Sequence, residues 1–291
     1  SLNKEFVVKI EKIVPNGYGL AFAEGLTIFV SLAAKGDKLL VRIREKKSKL
    51  AFAEIVEIIE PSEDRVTPTC QYFGKCGGCD FQQMSYQAQL EAKIAIIQDC
   101  LKRIGKIDYE GEMNIVGSPK EFGYRSRAQW HADTRNEKIG YFRRFSKQII
   151  DVETCPILDD KLQATLTNLR QNLNWSEFWA ETVEIETATN GEKVSIYSTE
   201  IIEPTEKISF EALGNRYFYN AESFFQGNLA LIESLLKTAI DDAKGETALD
   251  LYCGVGLFSL PLAKNFANVI SVEANEKAIE FACENAEFAR L

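Results

Sequence analysis

Three cysteines, Cys70, Cys76 and Cys79, crowd into one short stretch, and Gly77 and Gly78 separate the last two. The glycines let the backbone turn sharply enough for the three thiols to converge on one centre. Such a stretch folds as a loop around an inorganic group rather than as part of an apolar core. Three thiols need a fourth ligand. Cys155 is the best placed, because Pro156 follows it as proline follows the last cysteine of some ferredoxin motifs. A [4Fe–4S] cluster is the favoured occupant. Zinc held by four cysteines is the alternative, although structural zinc normally uses two short cysteine pairs and Cys155 has no neighbouring partner.

Radical S-adenosylmethionine chemistry also uses three cysteines, but its usual signature has a shorter first spacing and leaves one iron without a protein ligand, so a fourth cysteine argues against it. The odd total of seven cysteines is not the layout of a secreted disulfide framework and points to a reducing compartment. Cys100 and Cys283 are expected on helices as small buried residues, and Cys253 in a turn.

The 291 residues, 45% apolar and 26% charged, suffice for two or three domains. No apolar run approaches the roughly 20 residues of a membrane span, and the start SLNKEF has no signal-peptide core. A cytoplasmic, monomeric protein without a membrane partner is the expectation. A net charge of −9 opposes a surface coated in phosphate-binding groups. The charge is unevenly spread, however. Lys38–Lys49 carries six basic residues against one acid, Lys120–Lys147 eight against three, and Glu181–Glu211 eight acids against two lysines. Each basic block reads either as a local nucleic-acid footprint or as a solvated face.

Alternating apolar residues over the first sixty positions, with turns at Asn16–Gly17, Glu24–Gly25 and Lys35–Gly36, predict about five strands and a small barrel of the OB type, a common oligonucleotide platform. The polar run Pro61–Asp64 ends that unit. Leu90, Ile94, Ile97, Leu101 and Ile104 predict one apolar stripe along a helix that Gly105 ends. Strand-like segments Ala128–Ala132, Val183–Thr187 and Val194–Tyr197 and a helix near Lys161–Leu173 follow. The last part reads as a helix over Leu229–Ile240, a buried strand Thr247–Tyr252, a glycine turn, a helix over Leu257–Asn265, a strand Val269–Val272 and a helix from Glu276. That is β-α-β with a parallel sheet.

The turn itself, Asp250-Leu-Tyr252-Cys-Gly254-Val-Gly256-Leu-Phe-Ser259, lies between strand and helix, where glycines let a ligand approach the backbone. Ser259 stands where a dinucleotide fingerprint has its third glycine, which disfavours a pyrophosphate cofactor. Glu273 closes the next strand, where a carboxylate commonly accepts from ribose hydroxyls. The bland reading is a structural βα turn with a surface glutamate. His131, the sole histidine, reads as a satisfied structural residue. Arg125, Arg127, Arg143 and Arg144, interleaved with Tyr124, Trp130, Tyr141 and Phe142, suggest phosphate contacts and stacking surfaces.

Asn16-Gly-Tyr-Gly19 and Ile28-Phe-Val30 resemble a TRAM domain. Arg65-Val-x-Pro68-x-Cys70-x5-Cys76-Gly-Gly-Cys79-x3-Gln83-x2-Tyr86-x2-Gln89-x3-Lys93, Gly123-Tyr-Arg125, Cys155-Pro-Ile-Leu158, Ser223-Phe-Phe-Gln226-x-Asn228 and Asp250-Leu-Tyr-Cys-Gly254-x-Gly256 resemble the iron–sulfur RNA uracil-5-methyltransferases, which act on ribosomal or transfer RNA. The resemblance implies a multidomain α/β and β protein. Its parts would be an OB-like TRAM barrel (1–60), a mixed α+β iron–sulfur domain (61–220) and an incomplete Rossmann-like class I methyltransferase domain (221–291), against which the helix at 87–105 would pack. It implies that Cys70, Cys76, Cys79 and Cys155 hold a [4Fe–4S] cluster. It also implies that Gln226, Tyr252 and Glu273 touch S-adenosyl-L-methionine beside Asp250, Gly254 and Gly256, and that the partner is RNA.

The implied reaction adds a cysteine thiolate to C6 of uracil, methylates C5, and removes the C5 proton with a base. In the family those residues lie further downstream, after an Asp-Pro-Pro segment, and this sequence ends at Leu291 inside a helix. The expectation is therefore a chain without catalytic residues and without turnover. A non-catalytic iron–sulfur RNA-binding protein is the second reading, and an iron–sulfur redox protein without an RNA partner the third.

Overall fold

The computed structural model describes residues 3–200 and 205–291. The chain divides into two compact units, Ser1–Gly117 with Arg143–Ser146, and Ser118–Phe142 with Lys147–Leu291.

The first unit holds β1 (Glu5–Lys9), β2 (Lys12–Val14), β3 (Tyr18–Ala23), β4 (Leu26–Val30), β5 (Lys38–Lys47) and β6 (Leu50–Glu60), hydrogen-bonded in the order β1-β5-β6-β4-β3-β2. Six strands form where alternation predicted about five, because Lys12–Val14 is too short to show a period. The β3–β4 loop, Glu24–Gly25, has both residues at positive φ (46° and 74°), the geometry that matches a two-residue turn to the twist of its strands. The sheet must curl. Laid flat, six strands would separate its edges by about 24 Å, yet the edge strands β1 and β2 are joined only by Ile10 and Glu11, a link of at most ~10 Å. Inside the curl pack Ile10, Ile28, Val30, Leu39, Val41, Ile43 and Ala51.

The polar segment after β6 is tied down rather than loose. The fully buried Asp37 carboxylate accepts from the backbone N–H groups of Ala34 (2.6 Å) and Ser62 (2.9 Å) and from the Arg65 guanidinium (2.6 Å). Burial alone would push this carboxyl up, but Arg65 and the two N–H donors outweigh it and hold it below the ordinary value.

Helix α1 (Tyr86–Cys100) starts at Ser85, whose side chain accepts from the Ala88 N–H, and passes into a wider turn, Leu101–Gly105, that ends at Lys106 with φ of 56°. The expected apolar stripe is not its buried face. Ile97 and Ile104 are 53% and 74% exposed, whereas Ala88, Ala92 and Ile96 pack on the core of the six-stranded sheet. Lys12 Nζ and Asp99 Oδ1 pair at 2.6 Å beside the helix.

The second unit contains β7 (Arg127–Asp133), β8 (Lys138–Phe142), β9 (Ile149–Asp151), α2 (Asp160–Asn172), β10 (Thr182–Thr189) and β11 (Val194–Tyr197). The strands form an antiparallel sheet in the order β11-β10-β7-β8-β9. A hairpin of β12 (Ile208–Ala212) and β13 (Asn215–Tyr219) leads to α3 (Ile232–Ile240), β14 (Gly245–Leu251), α4 (Ser259–Leu262), β15 (Phe266–Val272) and α5 (Glu276–Phe288). Strands β14 and β15 run parallel, as the β-α-β pattern predicted.

Two expectations fail here. The crossover helix is a single turn, Ser259–Leu262, rather than Leu257–Asn265; its late start follows from Pro261, which has no N–H to bond the Leu257 carbonyl. Strand β14 is not buried throughout. Ala248 and Asp250 face the core, while Leu249, Leu251, Ile270 and Val272 are 49–59% exposed. The second core is built instead from Tyr217, Tyr219, Phe225, Leu236, Val255, Leu260 and Phe281.

Candidate cofactor site at the end of the parallel strands

Strand β14 ends in Leu251, and the chain then turns through Tyr252 (φ 61°), Gly254 (φ 56°) and Gly256 (φ 85°). Three left-handed residues in five bend the backbone tightly enough for the Cys253 N–H to reach the Val272 carbonyl at 3.1 Å and the Gly256 N–H the Cys253 carbonyl at 2.9 Å. For a tyrosine that conformation is strained, and the ring is 88% exposed. An exposed aromatic on a strained turn has no packing reason to be there.

Glu273 stands at the tip of β15. Its Oε2 accepts the Gly254 N–H (3.0 Å), and its Oε1 accepts those of Ala274 (2.8 Å) and Asn275 (2.9 Å). The Asn275 N–H is the largest influence holding this carboxyl below its ordinary value; burial opposes it, and the other two N–H groups add to it. The carboxylate is thus ionised and fixed in direction; Oε1 already accepts two N–H bonds, and Oε2, with one, keeps lone-pair capacity for a further donor. Asp250, largely buried, accepts from Ser259 Oγ at 2.6 Å, and Ser271 Oγ donates to Ser259 at 2.8 Å. Ser259 therefore locks strand to helix, a role that its spacing did not reveal.

The loop carrying Gln226 runs over the same turn. The Phe224 carbonyl lies 3.9 Å from where a Cβ on Gly254 would sit. Ser126 fixes the loop from below, donating Oγ–H to the Gln226 carbonyl (3.2 Å) and N–H to that of Gly227 (2.9 Å). The structure thus places Asp250, Tyr252, Gly254, Gly256 and Glu273 together and the Gln226 loop beside them. Asn285, fully buried on α5, holds the assembly from behind. Its Nδ2 donates to the carbonyls of Val255 (2.9 Å) and Phe218 (3.1 Å), and its Oδ1 accepts the Phe218 N–H (2.7 Å). An asparagine on the apolar side of a helix with Ala278 and Phe281 was the signal for it.

Beside this loop opens a cleft of about 430 Å³ lined by Tyr124, Arg125, Gln129, Phe224 and Asn228 among others. Phe224 is 64% exposed. Asn228 donates Nδ2–H to Ser118 Oγ (3.0 Å), while its buried Oδ1 has no hydrogen-bond partner among the described residues. An unused buried acceptor, an exposed ring and an arginine in one cleft suit a planar polar ligand that carries both donors and acceptors.

Other expected contacts fall away. Trp130 is fully buried and donates to Tyr141 Oη at 3.1 Å, so it offers no stacking face. Arg127 is committed to the carbonyls of Ser223 and Ala221, and Arg144 to Asp80 and the Cys79 carbonyl. His131 stacks on Phe142 with centroids 3.8 Å apart, but its buried Nδ1 lacks a hydrogen bond among the described residues, so it is packed rather than satisfied. Burial lowers its pKa and keeps it neutral. Cys283 is exposed on α5, not buried as expected, and Cys253 is buried. Burial first, then the carboxylates of Asp250 and Glu273, push the Cys253 thiol up, which makes it a poor nucleophile.

Cys70, Cys76 and Cys79, all half-buried, lie in the first unit and Cys155 in the second. Within the loop the Gly78 N–H donates to Cys76 Sγ at 3.3 Å. Burial raises the Cys76 thiol pKa against the opposing Gly78 N–H, and Cys79 and Cys70 add to the rise, so both lie near enough to act on Cys76. Their donor chemistry fits a thiolate-bound centre. Among the described residues, however, no three His, Cys, Asp or Glu side chains are gathered within reach of one metal ion.

Residues 156–291 match the family described as tRNA (Uracil-5-)-methyltransferase. The chain is 27% identical to the 23S rRNA (uracil(1939)-C(5))-methyltransferase RlmD of Vibrio vulnificus, over 99% of its own length and 74% of the relative's. It is 28% identical to an RNA methyltransferase of Aquifex aeolicus, over 98% and 75%. Its fold is similar to that of the Pyrococcus abyssi tRNA (uracil-54, C5)-methyltransferase solved with S-adenosyl-L-homocysteine, with a TM-score of 0.75, 24% identity, and coverage of 98% of this chain and 77% of that one. No helix among the described residues is long and apolar enough to cross a membrane.

Proposed function

From the match of residues 156–291 to the tRNA (Uracil-5-)-methyltransferase family and the likeness to RlmD along the chain, we propose that this is an RNA (uracil-5-)methyltransferase chain whose turn after β14 binds S-adenosyl-L-methionine for methyl transfer to C5 of a uridine in ribosomal or transfer RNA. The observation that carries the cofactor site is the fixed Glu273 carboxylate beside a glycine turn that bears the exposed, strained Tyr252. Glu273 would accept from a ribose hydroxyl through Oε2, Tyr252 would stack on the adenine, and Gln226 would reach the amino-acid end from its loop. Asp250, through Ser259, keeps the turn open for them. The cleft at Phe224 and Asn228 would receive the uridine. There the unpaired Oδ1 of Asn228 is an acceptor for the N3–H, and Arg125 and Gln129 are donors for the carbonyls.

The curled six-stranded sheet with its basic β5–β6 hairpin supports reading the first unit as a TRAM-type RNA-binding barrel. Cys70, Cys76, Cys79 and Cys155 are the proposed ligands of a [4Fe–4S] cluster, which when bound would contribute cross-links between segments distant in sequence. None of the described residues is assigned as the attacking thiolate or the base, so cofactor binding is the decisive assay. Methyl-tritiated S-adenosyl-L-methionine, cross-linked by ultraviolet light and mapped by peptide sequencing, should label residues 223–228 or 250–256. Label confined to other segments, or none, would reject the reading.

A further inference from the structure

Arg143–Ser146 joins the first unit as a short strap against the cysteine loop. Arg143 forms an isolated antiparallel bridge with Cys76, and the Arg144 N–H donates to the Lys75 carbonyl at 2.8 Å. The Arg144 guanidinium then reaches the far end of the same loop, where Nη1 donates to Asp80 Oδ1 at 2.7 Å and Nη2 to the Cys79 carbonyl at 2.5 Å. One residue therefore pins the chain just before Cys76 and just after Cys79, on either side of the flexible Gly77–Gly78 pair. The side chain is only 13% exposed, and its Nε–H is buried with no acceptor among the described residues. Arg144 also acts on Cys76 as a nearby positive charge.

A buried guanidinium with one donor unspent is costly unless something in the loop accepts it. Thiolate sulfur and inorganic sulfide are acceptors of the right chemistry, and hydrogen bonds to the sulfurs of such a centre raise its reduction potential. We propose that Arg144 is the positioning residue of the cysteine loop: it clamps the Cys76–Cys79 turn from both ends and contributes its remaining N–H and its charge to a metal centre bound there. This inference rests on the reading of the loop as a cluster site. It differs from an ordinary surface ion pair in that most of the guanidinium is withdrawn from water and its contacts run to both ends of the loop.

The test uses the whole chain. Anaerobic reconstitution of the wild type with iron and sulfide examines the cluster reading, with about four irons per chain expected. Arg144→Lys keeps the charge but not the two-pronged contact, and Arg144→Gln loses both. Both variants should release iron to a chelator about tenfold faster, the loss of one charge-assisted hydrogen bond. Arg144→Gln should also lower the reduction potential, which a purely structural strap would leave unchanged. Alkylation of Cys76 and Cys79 in the metal-stripped chain should speed up in both variants, whether the loop takes iron, zinc or nothing. Wild-type alkylation rates in both variants would overturn the clamp even if the cluster forms. Faster alkylation with an unchanged potential would overturn the donor role. Absence of iron uptake by the wild type would overturn the cluster reading and the donor role together, leaving the clamp to be judged by alkylation alone. A urea midpoint within error of the wild type identifies variants that remain folded.

Discussion

The backbone N–H of Gly254 donates to Glu273 Oε2 across 3.0 Å, tying the turn after β14 to the tip of β15. Neither residue could do this alone. Gly254 supplies a left-handed backbone that aims its N–H across the strands, and the Ala274 and Asn275 N–H groups hold the carboxylate to meet it.

Glycine is required at both turn positions, but for different reasons. At Gly254 a Cβ would meet only the Phe224 carbonyl at 3.9 Å, so Gly254→Ala bears the left-handed strain alone, about 1 kcal/mol. At Gly256 the same strain is joined by a Leu260 Cδ1 contact at 3.1 Å. Gly256→Ala should therefore be the more destabilising by urea denaturation, roughly 2 kcal/mol against 1.

Tyr252 separates stability from binding. Because it is 88% exposed at φ 61°, Tyr252→Gly should raise stability by up to about 1 kcal/mol through relief of strain. The same substitution should weaken binding of S-adenosylhomocysteine by about tenfold, a lost stacking contact. Calorimetric unfolding and titration of one variant check both signs.

Asp37 governs the acid limit of the first unit. Its folded pKa is depressed below the ordinary 3.8, so its stabilisation is fully present above pH 3.8 and is lost as pH falls through the lower folded value. Asp37→Ala strands the largely buried Arg65 guanidinium and should cost roughly 3 kcal/mol at pH 7. In acid the difference between wild type and variant should shrink. A difference that stays constant through the acid unfolding of the wild type would show that the pair does not control this transition.

Much of this was legible in the sequence because it is local. The alternation of β3 to β6, the β14 turn and the helix from Glu276 each depend on neighbouring residues. What escaped depends on distant partners. The Leu90–Ile104 stripe has a helical period, but a period says which residues share a face and not which face is covered; the strands cover the face of Ala88, Ala92 and Ile96. Trp130 and Arg127 carry the chemistry of RNA contacts, yet Tyr141 and the carbonyls of Ala221 and Ser223 claim them. Asn285 and Ser126 are ordinary in sequence and are known only by the backbone groups they fix.

The central claim is that Glu273, held by three backbone N–H groups, reads the ribose of an adenosyl cofactor. Isothermal titration of the chain with S-adenosyl-L-homocysteine, wild type against Glu273→Ala, tests it most directly. Saturable one-site binding that falls by tenfold or more in the variant, at least about 1.4 kcal/mol, is the expected result. Equal affinity in the two proteins, or no binding to a folded wild type, would contradict it.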